Sequence, residues 1–335
     1  MKITPLSLIV LAALMTACSS SAPFVPSAAA AARTATQAAR ADTKACPKSV
    51  VYVSSAQNGT VEIYDRTKLT GDPCGSITGL QAPQGLFVDL TGNLWVADSA
   101  TQRVYVFASG NPGAIRTLDD PDGQPAAIAV DEKSNTVYVT EYVNNMDASN
   151  LVQVYANGST IPTMTLRDPS ARNAGFVAVD DRGNLYVTFT TQSNTAQVDE
   201  WLGGSGAPKN LRLNLVSAGA IVTTNDGTLA ICDPFAYRCG EFAPGSKRMT
   251  HVFGHIGKGV PPGVKPNKRD WLNPDALAID GAGDRAYVAA ETLSGWKYPG
   301  PANRPSHKPL VEVRVPGLAG NGIAVYPASP AGRPY

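Results

Sequence analysis

The chain has 335 residues, 43% of them apolar and 16% charged, and 28 Lys+Arg against 27 Asp+Glu leave a formal charge of +1. That length supports a sizeable buried core. Near neutrality excludes a nucleic-acid binder of the electrostatic kind, which carries a basic excess. The 31 Gly and 26 Pro suit many short strands joined by turns and not a helical bundle.

Residues 1–17 read as an export signal. Lys2 supplies the positive charge, Leu6 to Met15 the apolar run, and Thr16 and Ala17 the small residues before a cleavage site. An apolar run of about ten residues is too short to span a ~30 Å hydrocarbon core. The stretch Leu14-Met15-Thr16-Ala17-Cys18 resembles the bacterial lipobox, although Leu14 sits one place early and Met15 takes the usual Leu position. The resemblance implies cleavage before Cys18 and acylation of Cys18, palmitate included. Ser19 behind it implies the outer membrane of a bacterial cell envelope. Two or more acyl chains anchor stably, each buried CH₂ contributing ~0.8 kcal/mol. Residues 18–45 are then a lipidated Cys and an Ala/Ser/Pro tether without apolar periodicity, and the membrane is met through the lipid alone.

Four cysteines follow, Cys46, Cys74, Cys232 and Cys239. An even number in an exported chain points to disulfides. Cys232 and Cys239 could face each other across a hairpin, and Cys46 and Cys74 bracket the first hairpin of the domain. Neither pair has metal-finger spacing.

A repeat organises residues 46–329, with 330–335 left as a tail. Gly85-Leu86-Phe87-Val88-Asp89 leads through Gly92-Asn93 into Leu94-Trp95-Val96-Ala97-Asp98 and then Arg103 to Phe107. The pattern returns from Ile128, Phe176, Ala220 and Ala276. Val50 to Val53 and Val61 to Tyr64 lack a first strand; Gly322 to Tyr326 is a first strand with nothing after it. Aligned on Asp89, the copies fall at 89, 131, 180, 223, 280 and 326. Strands apolar at nearly every position fit inner strands packed on both faces. The expectation is an all-β chain: a six-bladed β-propeller closed by pairing the C-terminal strand with the N-terminal blade. Closure leaves no exposed sheet edge, and a monomer is expected.

The Pro-x-Gly-apolar-apolar-Val-Asp…Gly-Asn-Leu-Trp-Val-Ala-Asp pattern, clearest from Pro83 to Asp98, resembles NHL-type six-bladed propellers, the gluconolactonase-like branch included. The resemblance covers roughly Ser49 to Pro327. It implies the fold; for function the fold hosts lyases, lactonases and binding modules alike. The lactonase-like enzymes hold a divalent cation with a Glu, two Asn and an Asp in the channel, and only Asp280 falls loosely on that pattern here.

Two constellations could carry chemistry. Residues 255–275 and 291–309 are the two long connections, expected to roof one mouth of the channel. They hold His255, Arg269 and Trp271 in the first, and Trp296, Tyr298, Arg304 and His307 in the second. Aromatic faces beside cations can stack on sugar rings or grip anionic groups, so these residues are candidates for binding a protein, a glycan or another small molecule. The second constellation is acidic: Asp98, Glu141 and Asp233 end their second strands and Glu291 lies one residue beyond that place. Carboxylates converging on the channel would suit Ca²⁺, which takes 6–8 oxygens. The recurring Asp89, Asp131, Asp180 and Asp280 precede turns and are expected to cap them. No nucleophile elbow, zinc-protease motif or phosphate-cradling loop occurs, and no catalytic residue or obligatory cofactor is assigned. The favoured function is an envelope-anchored binding scaffold without nucleic-acid contacts; the alternative is a divalent-cation-dependent hydrolase of the lactonase type.

Overall fold

A short strand with apolar residues on both of its faces has no side to give to water and must be packed between neighbours. The computed structural model of the protein describes residues 40–42, 46–69, 71–109, 111, 113–121, 123–141, 150–224, 227–253, 276–289, 292–299, 310–314 and 322–327. They form six separate antiparallel sheets arranged as a six-bladed β-propeller.

Blade 1 runs outward from Ile323–Tyr326 through Val50–Ser55, Thr60–Asp65 and Gly75–Thr78 to Arg40–Asp42. Blade 2 comprises Pro83–Val88, Leu94–Asp98, Arg103–Phe107 and Ala114–Asp119, and blade 3 Pro125–Asp131, Thr136–Glu141, Leu151–Tyr155 and Met164–Arg167. Blade 4 is Ala171–Val179, Leu185–Thr191, Ala196–Trp201 and Lys209–Asn210. Blade 5 is Ile221–Thr223, Leu229–Asp233, Arg238–Phe242 and Val252–Phe253; blade 6 is Ala276–Ile279, Arg285–Ala289, Thr292–Lys297 and Val311–Arg314.

The ring closes inside blade 1. Val50 pairs with Tyr326, Val51 with Val325, Tyr52 with Ala324 and Val53 with Ile323, and the N–H of Ser54 donates to the Gly322 carbonyl at 3.0 Å. The two faces of one strand then serve two different cores. Val51 and Val53 pack with Ala276, Ala278 and Tyr287 of blade 6. Val50 and Tyr52 pack with Leu86, Val88 and Leu94 of blade 2. This arrangement explains why the inner and second strands do not alternate in polarity.

The recurrent aspartates set the turns between the first two strands. Asp89 Oδ1 accepts the backbone N–H of Thr91 at 3.0 Å and of Asn93 at 2.8 Å, while its Oδ2 accepts from Asn93 Nδ2 and Trp95 Nε1. Asp180 repeats the set with Arg182, Asn184 and the Tyr186 hydroxyl. Gly92 and Gly183 hold the positive φ that these turns require. Neighbouring blades are tied through the same turns. Glu132 accepts the Leu90 N–H at 3.0 Å, and Lys133 Nζ donates to the Asp181 carbonyl. Arg66 pairs with Asp280 at 2.8 Å across blades 1 and 6.

Both cysteine pairs are disulfide-bonded, Cys46–Cys74 and Cys232–Cys239. The second joins residues directly opposite in register.

Three features depart from the sequence reading. Arg40–Asp42, expected within the tether, pairs with Ser76–Thr78 as a fifth, outermost strand. In blade 6 the third strand is Thr292–Lys297, inside the stretch 291–309 expected as a connection, and Val311–Arg314 is the fourth. Its residues Leu293, Ser294 and Trp296 are fully buried, so the first part of the expected 291–309 loop belongs to the sheet. The last correction is the set of outer strands, some only two residues long, which carry too few apolar positions to register as strands.

Candidate functional site

The six inner strands surround a cavity of about 210 Å³. Each inner strand is the edge of its sheet, so unpaired backbone groups face the lumen alongside side chains. Most side chains of these strands are buried in the seams between blades. Phe87, Phe176 and Val222 are the half-buried apolar ones lining the cavity. Phe176 packs against clusters that belong to blades 3 to 6.

The two ends of the cavity differ. On the entry face, turns lead into the inner strands, and glycine allows those strands to meet backbone to backbone. A Cβ on Gly85 would lie 2.5 Å from the Ala126 carbonyl oxygen, and one on Gly322 would lie 2.2 Å from that of Gln84. Neither position admits any larger residue without displacing main chain. On the exit face, the lining extends past the strand ends onto Leu90, Asp131, Glu132, Lys133, Asp180 and Asp181. Among the described residues, the lining extends past the strand ends on the exit face, the side opposite to the one expected for a ligand.

That end of the lining is acidic. Asp131 and Asp180 accept hydrogen bonds within their own turns. Glu132 is raised above the ordinary carboxylate range by shielding from solvent; the Leu90 N–H opposes this, and the nearby Asp89 and Asp131 add to it. Lys133, its ammonium held by the Asp181 carbonyl, is the cation among the described lining residues.

Asp98, Glu141 and Asp233 do occupy one position, the last residue of the second strand, and all are fully buried. Asp98 accepts the backbone N–H groups of Gln81 and Ala82 at 2.9 and 2.8 Å. Asp233 accepts those of Val216 and Ser217 at 3.1 and 2.9 Å, with Arg238 at 3.4 Å. In each blade the carboxylate is turned to the segment entering that blade and fixes it. Glu141 lies against Gly123, whose missing side chain leaves room for its carboxylate. Glu291 lies outside the described residues. Among the described residues no three His, Cys, Asp or Glu side chains come together in a way that could hold a metal ion.

Trp296 is fully buried and donates its indole N–H to Ser294 Oγ at 2.9 Å. Tyr298 is also buried and meets Phe253 edge-on at 5.6 Å between ring centroids. Both rings belong to the seam between blades 5 and 6 rather than to a roof over the channel, because Thr292–Lys297 is a strand. His255, Arg269, Trp271, Arg304, His307 and the lipid-attachment residue Cys18 lie outside the described residues.

One acidic cluster was not anticipated. Asp168, Gln197 and Asp199 are buried beside blade 4. Gln197 Nε2 lies 2.6 Å from Asp168 Oδ2, 3.0 and 2.9 Å from the two Asp199 oxygens, and 3.2 Å from Ser170 Oγ. An amide nitrogen has two hydrogens for these four oxygens, and two buried carboxylates cannot both ionise cheaply. Burial, and then the hydrogen bond to Asp168, push Asp199 up to about 8. Burial also opposes ionisation of Asp168, but hydrogen bonds from Asp199, Ser170 and Gln197 outweigh it and hold that carboxyl below its ordinary value. Asp199 is thus the protonated partner near neutrality. The sequence signal, Gln-x-Asp on a strand, is too common to single out.

No protein-family model matches the chain, and no curated protein matches it in sequence. Its fold is similar to that of solved structures. A chain in the crystal structure of a nidogen/laminin complex superposes with TM-score 0.63 at 15% identity, covering 83% of this chain and 98% of that one. A functionally unknown protein from Desulfotomaculum acetoxidans gives 0.55 at 13% identity over 84% and 99%. Hydrazine synthase of Kuenenia stuttgartiensis gives 0.50 at 16% over 74% and 73%. At such identities the likeness shows the propeller alone.

A group whose folded pKa lies above its unfolded value stabilises the fold at low pH and loses that contribution as pH rises. For Asp199 the window runs from the ordinary carboxyl value of 3.8 to about 8. Asparagine keeps a donor towards Asp168 and has no proton to lose. Asp199→Asn should therefore melt higher than wild type at pH 9, with an advantage at least ~3 °C larger than at pH 5. A constant offset across that range would show that Asp199 titrates normally.

Proposed function

We propose that this chain is an exported, membrane-tethered propeller that binds a small, largely apolar ligand in its central cavity. The observation that carries this reading is the cavity itself: about 210 Å³, walled by all six inner strands and lined by Phe87, Phe176 and Val222. Its wall is held by the ring of sheets and capped turns, so little conformational freedom remains to be lost on binding. Export is supported by two disulfides and by the lipobox-like stretch ending at Cys18. Among the described residues no helix is long and apolar enough to cross a membrane; the anchoring in this reading is by acyl chains on Cys18. The pattern from Pro83 to Asp98 supports an NHL-type propeller.

Two variants test the parts separately. Val222→Phe fills the lumen, so n-hexanol, used as an apolar probe, should give saturation-transfer signals with wild type and lose at least ~90% of them with the variant. That loss corresponds to a tenfold weakening, or about 1.4 kcal/mol. Equal signals would place any binding elsewhere. Cys18→Ser should move the protein from the membrane fraction to the soluble fraction of the envelope; unchanged membrane association would remove the lipid anchor from the account.

A further inference from the structure

Strand register sorts the cavity wall into layers. Phe87, Ala129, Ala178, Val222, Ala278 and Ala324 hold one position, each paired at the same step with the second strand of its own blade. Two residues earlier in each inner strand come Gly85, Ala127, Phe176, Ala220, Ala276 and Gly322. All of them line the cavity. Two residues of strand separate the layers by about 6–7 Å, the second lying nearer the entry face.

Neither layer is uniform. In the first, four blades contribute Ala, and the larger side chains, Phe87 and Val222, come from blades 2 and 5. Inner strands touch in blade order round the ring, so these two stand three blades apart and face each other across the lumen. This layer is a slot, narrow between Phe87 and Val222 and wide along the alanines. In the second layer Phe176 alone exceeds a methyl group. It packs against clusters that include Ala220, Leu277 and Ile279 of blades 5 and 6, so its ring reaches from blade 4 across the entry end of the lumen. Its backbone is pinned. Gly175 and Phe176 form a bulge opposite Thr188, whose Oγ1 accepts the Phe176 N–H at 2.8 Å, and Thr140 Oγ1 donates to the Gly175 carbonyl at 2.7 Å. Phe176 is the floor of the slot.

We infer that the cavity selects a ligand whose buried part is one flat aromatic ring, held between Phe87 and Val222 and stopped by Phe176. This inference rests on the cavity being the binding site. The volume agrees with one ring, since about 210 Å³ lies below the ~300–1,000 Å³ of pockets for drug-sized ligands. A planar ring fits a slot that a puckered ring of the same carbon count must force apart. It also meets Phe87 and Phe176 in the stacked or edge-on arrangements that aromatic pairs prefer. A second fused ring would run into Phe176.

Benzyl alcohol and cyclohexylmethanol share a carbon count and a head group and differ in ring thickness. Titrated calorimetrically into the full mature chain, benzyl alcohol should bind at least ~3-fold tighter, the scale of one aromatic contact. Val222→Ala widens the slot and should abolish that preference by admitting the puckered ring; an unchanged preference would overturn the slot. 2-Naphthalenemethanol should bind wild type no tighter than benzyl alcohol does. Without the floor, in Phe176→Ala, it should bind at least ~10-fold tighter than benzyl alcohol, because the second ring is then buried. Phe176→Leu provides a milder variant should Phe176→Ala fail to fold, and a naphthyl affinity unmoved by either would remove Phe176 as the floor. Equal binding of benzyl alcohol and cyclohexylmethanol to wild type would overturn ring selection, while n-hexanol binding that is lost in Val222→Phe would keep the cavity as a site. If none of these probes binds, the cavity reading fails as well.

Discussion

The structure depends on one antiparallel pairing between residues more than 260 positions apart in the chain. Ile323–Tyr326 lies against Val50–Val53 and completes a blade whose other strands come from the start of the domain. Without it, Val50–Ser55 would expose an edge, and Ile323 and Val325 would leave the seam they fill with blade 6. Each fully buried aliphatic side chain contributes roughly 1.5–3 kcal/mol, and total stabilities run only ~5–15 kcal/mol. A four-residue strand therefore decides whether the ring is a ring. The cavity inherits this dependence, since one of its six walls is that same strand.

Much of the architecture was legible because the repeat is written in residues with a local mechanical role. Asp89, Asp131, Asp180 and Asp280 recur because a carboxylate at the end of an inner strand can gather the amides of the next turn. Asp98 and Asp233 recur because the segment entering each blade needs an acceptor for its amides. Such positions stand out in a sequence whether or not a ligand ever touches them. The outer strands were less legible. Lys209–Asn210 and Val252–Phe253 are two residues long, and a strand with one wet face and one neighbour needs few apolar positions. Thr292–Lys297 was hidden by Gly295 and by the Pro-rich stretch behind it, although Leu293 and Trp296 fill a core.

The site was the least legible part. The shape of the cavity depends on how closely neighbouring inner strands approach, and Gly85 and Gly322 meet the main chain of the adjacent blade. A glycine read in sequence signals a turn as readily as a close approach. The aromatics chosen for a roof illustrate the same limit, because Trp296 and Tyr298 are buried in a seam between blades. The pair Asp168 and Asp199 is separated by about thirty residues and is brought together only by the sheet, so a proton shared near neutral pH emerges from the fold and not from any motif.

Hydrogen exchange of the native protein tests ring closure most directly. If Ile323–Tyr326 is an integral strand, those of its amides that bond to Val50–Val53 exchange only through the same global opening that releases the interior strand Thr136–Glu141, and both sets respond equally to denaturant. Exchange of those ladder-bonded amides at rates typical of a frayed terminus, while Thr136–Glu141 stays protected, would contradict the closed ring and the six-walled cavity built on it.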